Sequence, residues 1–388
     1  MNPFQHISAE LRVFGGAQSL AQLPRELQRA GCSRAFVVCG RTVAAGELLA
    51  KTHEALGAMS AGVFDRVQAH SPVPSVEQAA RALAESGADA VIAIGGGSAV
   101  VTARAASILL AEKAYVRELC TRIADDGRLH SPLLKAPKLA QFVVPTAPTT
   151  ALVKAGSALH DPATGQRLAL FDPKTRARAV FVHPQFLHSA PADLVRSASL
   201  NALAMAVEGL ESESATPLSD ASLMHALRLL SAHLPHAEVD PANVDARCQL
   251  VMAAILCGQG TDRAGGGILS VLGHAIGPRS KVANGIVNAV LLPHTMRFNA
   301  RVTGARLGKV SEALGLHVRS GRELEDAGRA LDALLSKLAI PRRLMDTGLS
   351  REAFSEVVQE ALRDWFLQRN PRPVEGEQEL LALLESAW

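Results

Sequence analysis

Along the first half of the chain, short apolar runs alternate with segments of helical periodicity. AFVVCG (Ala35–Gly40) has the unbroken apolar character of a buried strand, and the helical pattern VAAGELLAKTHEALGAM follows it. SVEQAARALAESG predicts a helix stopped at Gly87, then AVIAIGGGS (Ala90–Ser98) a strand ending in glycines, then TARAASILLAEK a further helix. QFVVPT (Gln141–Thr146), LALFDP and AVFVHP (Ala179–Pro184) are short strands, each closed by a proline turn. Alternation of this kind implies a parallel sheet with crossover helices. Beyond Pro191 helical periodicity takes over in ASLNALAMAVEGL, SDASLMHALRLLSAHL and ARCQLVMAAILCGQG, with Pro235–Asp245 expected as a loop between helices. The change of character near residues 185–192 places a boundary between an α/β domain, 1–187, and an all-helical domain, 188–388.

Composition narrows the picture. A chain of 388 residues exceeds one comfortable core, and 48% hydrophobic content is that of a compact globular protein. Aromatic residues make up only 4% and the net charge is +3 with no basic block, so neither a nucleic-acid footprint nor an anionic-membrane surface is expected. The longest apolar stretch, Ala90–Leu110, is broken by Gly95–Gly97 and Arg104 and does not read as a membrane span. Five scattered cysteines form no CxxC pair and read as buried thiols of a reducing compartment. MNPFQHISAELR lacks the basic and apolar regions of a signal peptide, which makes the cytoplasm the expected location.

The candidate chemistry begins at GGGS (Gly95–Ser98), a strand-to-helix junction whose backbone N–H groups could cradle a pyrophosphate. An ordinary glycine turn of an α/β crossover would look similar, and the pattern is not GxGxxG. VPTAPTTA (Val144–Ala151) adds a second strand-end turn rich in hydroxyls. With LALFDPKTRARAVFVHPQFL and NGIVNAVLLPHTMRFN, these segments make the chain resemble the iron-containing (group III) alcohol dehydrogenase family, which includes the maleylacetate reductases. The resemblance runs from about Leu11 to beyond Asn299.

That resemblance implies a dinucleotide-binding α/β domain followed by a helical domain, with the active site in a cleft between them and a homodimer that uses the strand near Leu11–Phe14. It places Gly96, Gly97 and Ser98 at the pyrophosphate, Thr146 and Thr150 near the nicotinamide half, and Arg167 near a ribose. Val101 and Arg104 stand where the family more often has Asp and Lys. NAD-using members often carry Asp where this chain has Gly40. Gly40 with Arg41 beside it therefore suggests that NADP(H) is accepted as well as NAD(H), although Arg41 could equally be a solvated turn residue.

The family places its metal ligands, one Asp and three His, where this chain has Asn201, Met205, Ser270 and Asn284. Amide, thioether and hydroxyl groups are weak neutral ligands for a hard divalent ion, so no metal is expected. His274, four residues after Ser270, matches a family His that is generally not a ligand. It is the leading candidate to polarise or protonate a substrate oxygen, with Lys281 second. The ordinary alternatives are a hydrogen-bonded core histidine and a solvated loop lysine. Asn201 and Asn284 are expected as neutral donors to the same oxygen, and His294 as structural.

The implied activity is a metal-independent, nicotinamide-dependent exchange between an alcohol and its carbonyl. A maleylacetate reductase-type reaction is the alternative, with Lys154, Arg263, Arg279 and Lys281 as candidate cations. A non-catalytic nucleotide-binding paralogue with a regulatory or scaffold role is the second alternative; retention of GGGS and the Thr-rich turn argues against it.

Overall fold

The computed structural model describes residues 4–123 and 128–388; Met1–Pro3 of the N-terminal stretch read above lie outside the described residues. The chain divides into two compact units, Ser8–Ala190 and Pro191–Trp388, the second including the described N-terminal residues up to Ile7.

The strands of the first unit are β1 (Arg12–Gly15), β2 (Ala35–Cys39), β3 (Ser60–Phe64), β4 (Ala90–Gly95) and β5 (Cys120–Ile123). They continue with β6 (Leu129–His130), β7 (Ala140–Pro145), β8 (Gly156–His160), β9 (Arg167–Phe171) and β10 (Ala177–Val182). Its helices are α1 (Leu23–Arg29), α2 (Arg41–Ala44), α3 (Glu47–Leu56), α4 (Val73–Ser86), α5 (Gly97–Glu112) and α6 (Pro184–His188).

Six strands form a sheet in the order β1-β10-β7-β4-β2-β3, and every pairing in it is parallel. Strands β2 and β4 are buried at every residue. That matches their continuous apolar text, because a parallel sheet is covered on both faces. Strand β1 pairs with β10 of its own chain and forms one edge of the sheet. From β2 the chain moves outward to β3, returns past β2 to lay down β4, and continues away through β7 and β10. The order thus reverses between β2 and β4. In open α/β sheets the carboxyl ends of the strands at such a reversal are where ligands bind. Gly40 and Gly95–Gly97 stand at those two ends.

A second sheet, β6-β5-β9-β8, is antiparallel throughout. LALFDP belongs to it as β9, whereas the sequence pattern pointed only to a parallel sheet. Burial alternates along β8 and β9. Leu159, Leu168 and Leu170 pack with Val76 of α4 and with Ala105 and Ile108 of α5.

Arg104, in the middle of α5, is fully buried. Its guanidinium donates to the carbonyls of Gly156 at 2.5 Å and Ala151 at 2.7 Å. Burial, and secondarily the charge of Arg176, pushes its pKa down to about 9. Arg176 donates to Val153 O at 2.8 Å, so two arginines pin the segment between β7 and β8. Arg104 is therefore a structural clamp in this chain.

The second unit contains α7 (Ala192–Glu211), α8 (Pro217–Val239), α9 (Val244–Ala264) and α10 (Ile268–Ile276). It ends with α11 (Asn284–Ala313), α12 (Glu323–Leu335), α13 (Phe354–Arg363) and α14 (Glu377–Ala387). Helix α8 runs on through Pro235 to Val239, which corrects the loop expected over Pro235–Asp245. Pro235 lies within a turn or so of the helix end and is only partly buried, so the carbonyl it deprives of a partner costs little there. Among the described residues no helix is long and apolar enough to cross a membrane. All five cysteines are free thiols, and burial pushes that of Cys39 up to about 12.

Replacing Arg104 with leucine should destabilise the first unit by about 2–4 kcal/mol, because two buried carbonyls lose charge-assisted donors. Urea unfolding of wild type and Arg104→Leu measures this; an unchanged midpoint would show that the clamp contributes nothing.

Candidate functional site

In the first unit the candidate cofactor residues converge on the carboxyl ends of β4 and β7. Gly95 has φ +145°, and a Cβ on it would stand 2.9 Å from that of Ala99. A Cβ on Gly97 would lie 3.2 Å from Thr149 Oγ1. The Thr146 N–H donates to Gly95 O at 3.1 Å, tying the two turns together. Gly96, Gly97, Thr146 and Thr150 are thus assembled around the N-terminus of a 16-residue helix whose first amides have no helical partner. Backbone amides at such a helix start can meet an anionic group.

Ser98 has a further attachment. Its Oγ accepts from His70 N–H and its carbonyl accepts from Ser71 Oγ, both at 3.1 Å. His70 and Ser71 are left-handed at φ 62° and 48°, an uncommon conformation for residues with side chains. Arg167 is exposed at the start of β9 and pairs with His160, whose N–H donates to Ser71 O at 3.4 Å. At the end of β2, Gly40 is the residue preceding α2, and Arg41 is exposed as the first residue of that helix.

In the second unit a polar seam runs through apolar helices. Asn201, Met205 and Glu208 share one face of α7, Ser270 and His274 one face of α10, and Asn284 and Asn288 one face of α11. Asn288 Nδ2 donates to Asn201 Oδ1 at 2.9 Å, and Asn201 Nδ2 to Met205 Sδ at 3.4 Å. The Ser270 hydroxyl donates to Glu208 Oε2 at 2.5 Å, and the Ser270 N–H to Glu208 Oε1 at 3.0 Å. Asn284 Oδ1 is buried with no hydrogen-bond partner among the described residues, and a Cβ on Gly277, just after α10, would come within 3.1 Å of it. Asn201 thus has its amide oxygen and one of its two N–H donors engaged with neighbouring side chains.

A divalent ion does not fit this donor set. Asn201, Met205 and Ser270 are neutral and engaged with other protein groups. The nearby carboxylate, Glu208, has both oxygens committed to Ser270.

Glu208 and Asn370 also hold α10 in place. Gly267 precedes that helix and brings no side-chain cap of its own. Asn370 Oδ1 accepts from Ile268 N–H at 3.1 Å, while Glu208 takes the amide of Ser270. A Cβ on Gly267 would lie 2.9 Å from Glu208 Oε1 and 3.1 Å from Asn370 Oδ1, so glycine is what admits both. Burial pushes the Glu208 carboxyl up, against the pull of its hydrogen bonds from Ser270. Glu211, one turn on, is raised to about 8 by burial and by the charge of Glu208, with bonds from Thr303 and Asn299 opposing.

His274 presents Nδ1 to Asp364 Oδ2 at 2.9 Å. Lys281 is exposed, and its aliphatic stem lies over Gly348. Arg279 is held by Glu360 at 2.7 Å and Glu356 at 3.6 Å, and Arg263 donates to Gln5. His294 Nδ1 meets Ser386 Oγ at 2.8 Å. Sequence reading missed Glu208, Glu211, Asn288, Asp364 and Asn370. The recurrence of polar residues every three or four positions inside otherwise apolar helices was the available signal for the first three.

The chain matches the iron-containing alcohol dehydrogenase family over residues 11–184, and the C-terminal domain of the Fe-containing alcohol dehydrogenase family over residues 196–388. It is 28% identical to lactaldehyde reductase of Escherichia coli over 381 residues, covering 96% of this chain and 97% of that protein. It is 30% identical to maleylacetate reductase 2 of Cupriavidus pinatubonensis, with 97% and 94% covered. An alcohol dehydrogenase from Oenococcus oeni shares the fold, with a TM-score of 0.91 over the whole of both chains at 20% identity. The matches make the chain a nicotinamide-dependent oxidoreductase. The chain belongs to the iron-containing alcohol dehydrogenase family.

Glu211 gives the second unit a pH signature. Its carboxyl ionises near 4.5 when unfolded and near 8 when folded, so between those values only the folded chain holds the proton. Stability should therefore fall as pH rises from about 4.5 to 8, by up to about 1.4 kcal/mol per unit. Denaturation at several pH values should show this slope in wild type and a flatter one in Glu211→Gln; equal slopes would contradict the assignment.

Proposed function

We propose that the protein is a metal-independent alcohol dehydrogenase or carbonyl reductase that accepts NADP(H) at least as well as NAD(H). The observation that carries this reading is the state of the four family ligand positions. Asn201, Met205 and Ser270 are engaged with one another or with Asn288 and Glu208, and Asn284 packs against α10. The bound nicotinamide supplies the hydride to a carbonyl carbon, or takes it from an alcohol.

The chain supplies position and a proton. The turns at Gly95–Gly97 and Thr146–Thr150 hold the cofactor's diphosphate and nicotinamide ends. His274 gives a proton to the carbonyl oxygen as the C–H bond forms, and recovers it in the oxidising direction. A maleylacetate-type reaction is the second reading; of its candidate cations, Arg279 is paired with Glu356 and Glu360, and Lys281 is exposed.

Cofactor titration and elemental analysis of one sample, purified without chelator, test the central claim. Nicotinamide binding with well under one Fe, Zn, Mn or Ni per chain is expected. A full equivalent of metal, with activity lost on its removal by EDTA, would overturn it.

Gly40→Asp tests the cofactor preference. Gly40 is extended at φ −91° and a Cβ there would approach only Val67 O, at 3.8 Å, so Asp fits and is a favourable helix cap. Its carboxylate would repel a 2′-phosphate and accept from a ribose hydroxyl. Affinity should move from NADPH toward NADH on the order of tenfold. Undiminished NADPH binding in the variant would remove the argument.

A further inference from the structure

We propose that a surface cavity in the second unit is a binding site for a small hydroxylated organic anion, a phosphate ester or a hydroxycarboxylate, held by Arg263, Arg306 and Arg369. None of the three takes part in the cofactor turns or in the proton transfer proposed above. Arg263, a candidate cation for a maleylacetate-type substrate, is thereby given a different role.

The cavity measures about 1130 Å³, room for a ligand of metabolite size, and all its walls belong to the second unit. Arg263 stands in the last turn of α9, Arg306 on α11, and Arg369 at the end of the 3-10 helix Trp365–Arg369, so three separate elements turn a guanidinium to it. Arg369 is held from one side, over the ring of Trp365 at 4.8 Å and that of Phe366 at 5.9 Å. Stacking uses the flat face of a guanidinium and leaves its N–H edge to donate. Among the described residues no protein acceptor meets that edge. Partial burial also lowers the Arg369 pKa from the usual arginine value, a cost that a bound anion would reverse. Among the described residues Arg263 makes one side-chain bond, a long one of 3.4 Å to the neutral Gln5 Oε1. Arg306 is fixed by Leu210 O at Nε and by Asp220 at Nη2, which leaves Nη1 uncommitted. Asp220 is shared with Lys309 and so offsets one of the two cations. The loop between α7 and α8 adds Ser212, which is buried and accepts from the Ser214 N–H at 3.2 Å while its own proton stays uncommitted. Donors aimed at one space call for a ligand rich in acceptor oxygens. Glu213 and Asp262 also border the cavity, so an anion with hydroxyls on its other side fits better than a bare inorganic one.

Calorimetric titration of the full chain with glycerol 3-phosphate and with citrate separates the two sources of the anion, and saturating nicotinamide cofactor keeps the diphosphate turns occupied. Saturable binding of at least one, with a Kd of about 1 mM or tighter, is expected, and inorganic phosphate should bind more weakly. Arg369→Gln and Arg263→Gln should each weaken that binding by roughly tenfold, while cofactor affinity stays within about twofold. Circular dichroism checks that each variant is folded. Trp365 and Trp388 are the two tryptophans of the chain, so in Trp388→Phe the anion should change the fluorescence of Trp365, over which Arg369 lies. Absence of saturable binding to wild type, or binding that neither arginine substitution weakens in folded protein, would overturn the proposal. Inorganic phosphate bound as tightly as the organic anions, or an unchanged Trp365 signal at saturation, would do the same.

Discussion

The placement of α10 depends on a cap that the helix does not carry. An α-helix begins with N–H groups that have no helical partner, and a buried start needs acceptors from elsewhere. Here Glu208 of α7 and Asn370 of the C-terminal segment supply them, meeting over Gly267. A carboxylate at a helix N-terminus is favoured by the helix dipole, which offsets part of the cost of burying Glu208. Because the cap fixes the helix axis and its rotation, it also fixes the face that carries Ser270 and His274. Three distant parts of the chain are thereby locked into one arrangement.

The same cap engages Ser270, one of the four family ligand positions, with Glu208. Ser270 spends its proton on Glu208, which leaves it a neutral and weak oxygen donor, and Glu208 cannot turn away without exposing the start of α10. On the other side of the seam Asn288 spends its amide on Asn201, and Asn201 spends its own on Met205. Buried polar groups carry a high cost when unpaired, so these neutral residues pair with each other. The pairing is incomplete, because the Oδ1 atoms of Asn284 and Asn288 are buried with no hydrogen-bond partner among the described residues.

Features set by local sequence could be read directly. The strand-then-glycine text at Ala90–Gly97 and the apolar runs of β2, β7 and β10 were legible because burial on both faces and a turn at the end are short-range demands. The small antiparallel sheet was not, because β5 and β6 are short and take their identity from partners elsewhere in the chain. Pro235 misled, because proline is normally a breaker, while near a partly exposed helix end its missing bond costs little. The site was half legible. Asn201, Met205, Ser270 and Asn284 could be found from the resemblance. Their partners could not, since Ser270 and Glu208 are separated by 62 residues, His274 and Asp364 by 90, and Ile268 and Asn370 by 102. His70 and Ser71 were also hidden, as nothing in their identities announces a left-handed backbone.

A Lewis acid and a general acid solve the same problem differently. An ion stabilises a developing alkoxide through charge alone and requires anionic or imidazole ligands around it. A proton donor needs one titratable group, oriented, with a partner that accepts its charge. Of the polar side chains along this seam, Ser270, Asn201 and Asn288 have spent donors on protein acceptors. His274, one turn after Ser270 on α10, differs in being titratable, and its Nδ1 meets the carboxylate of Asp364.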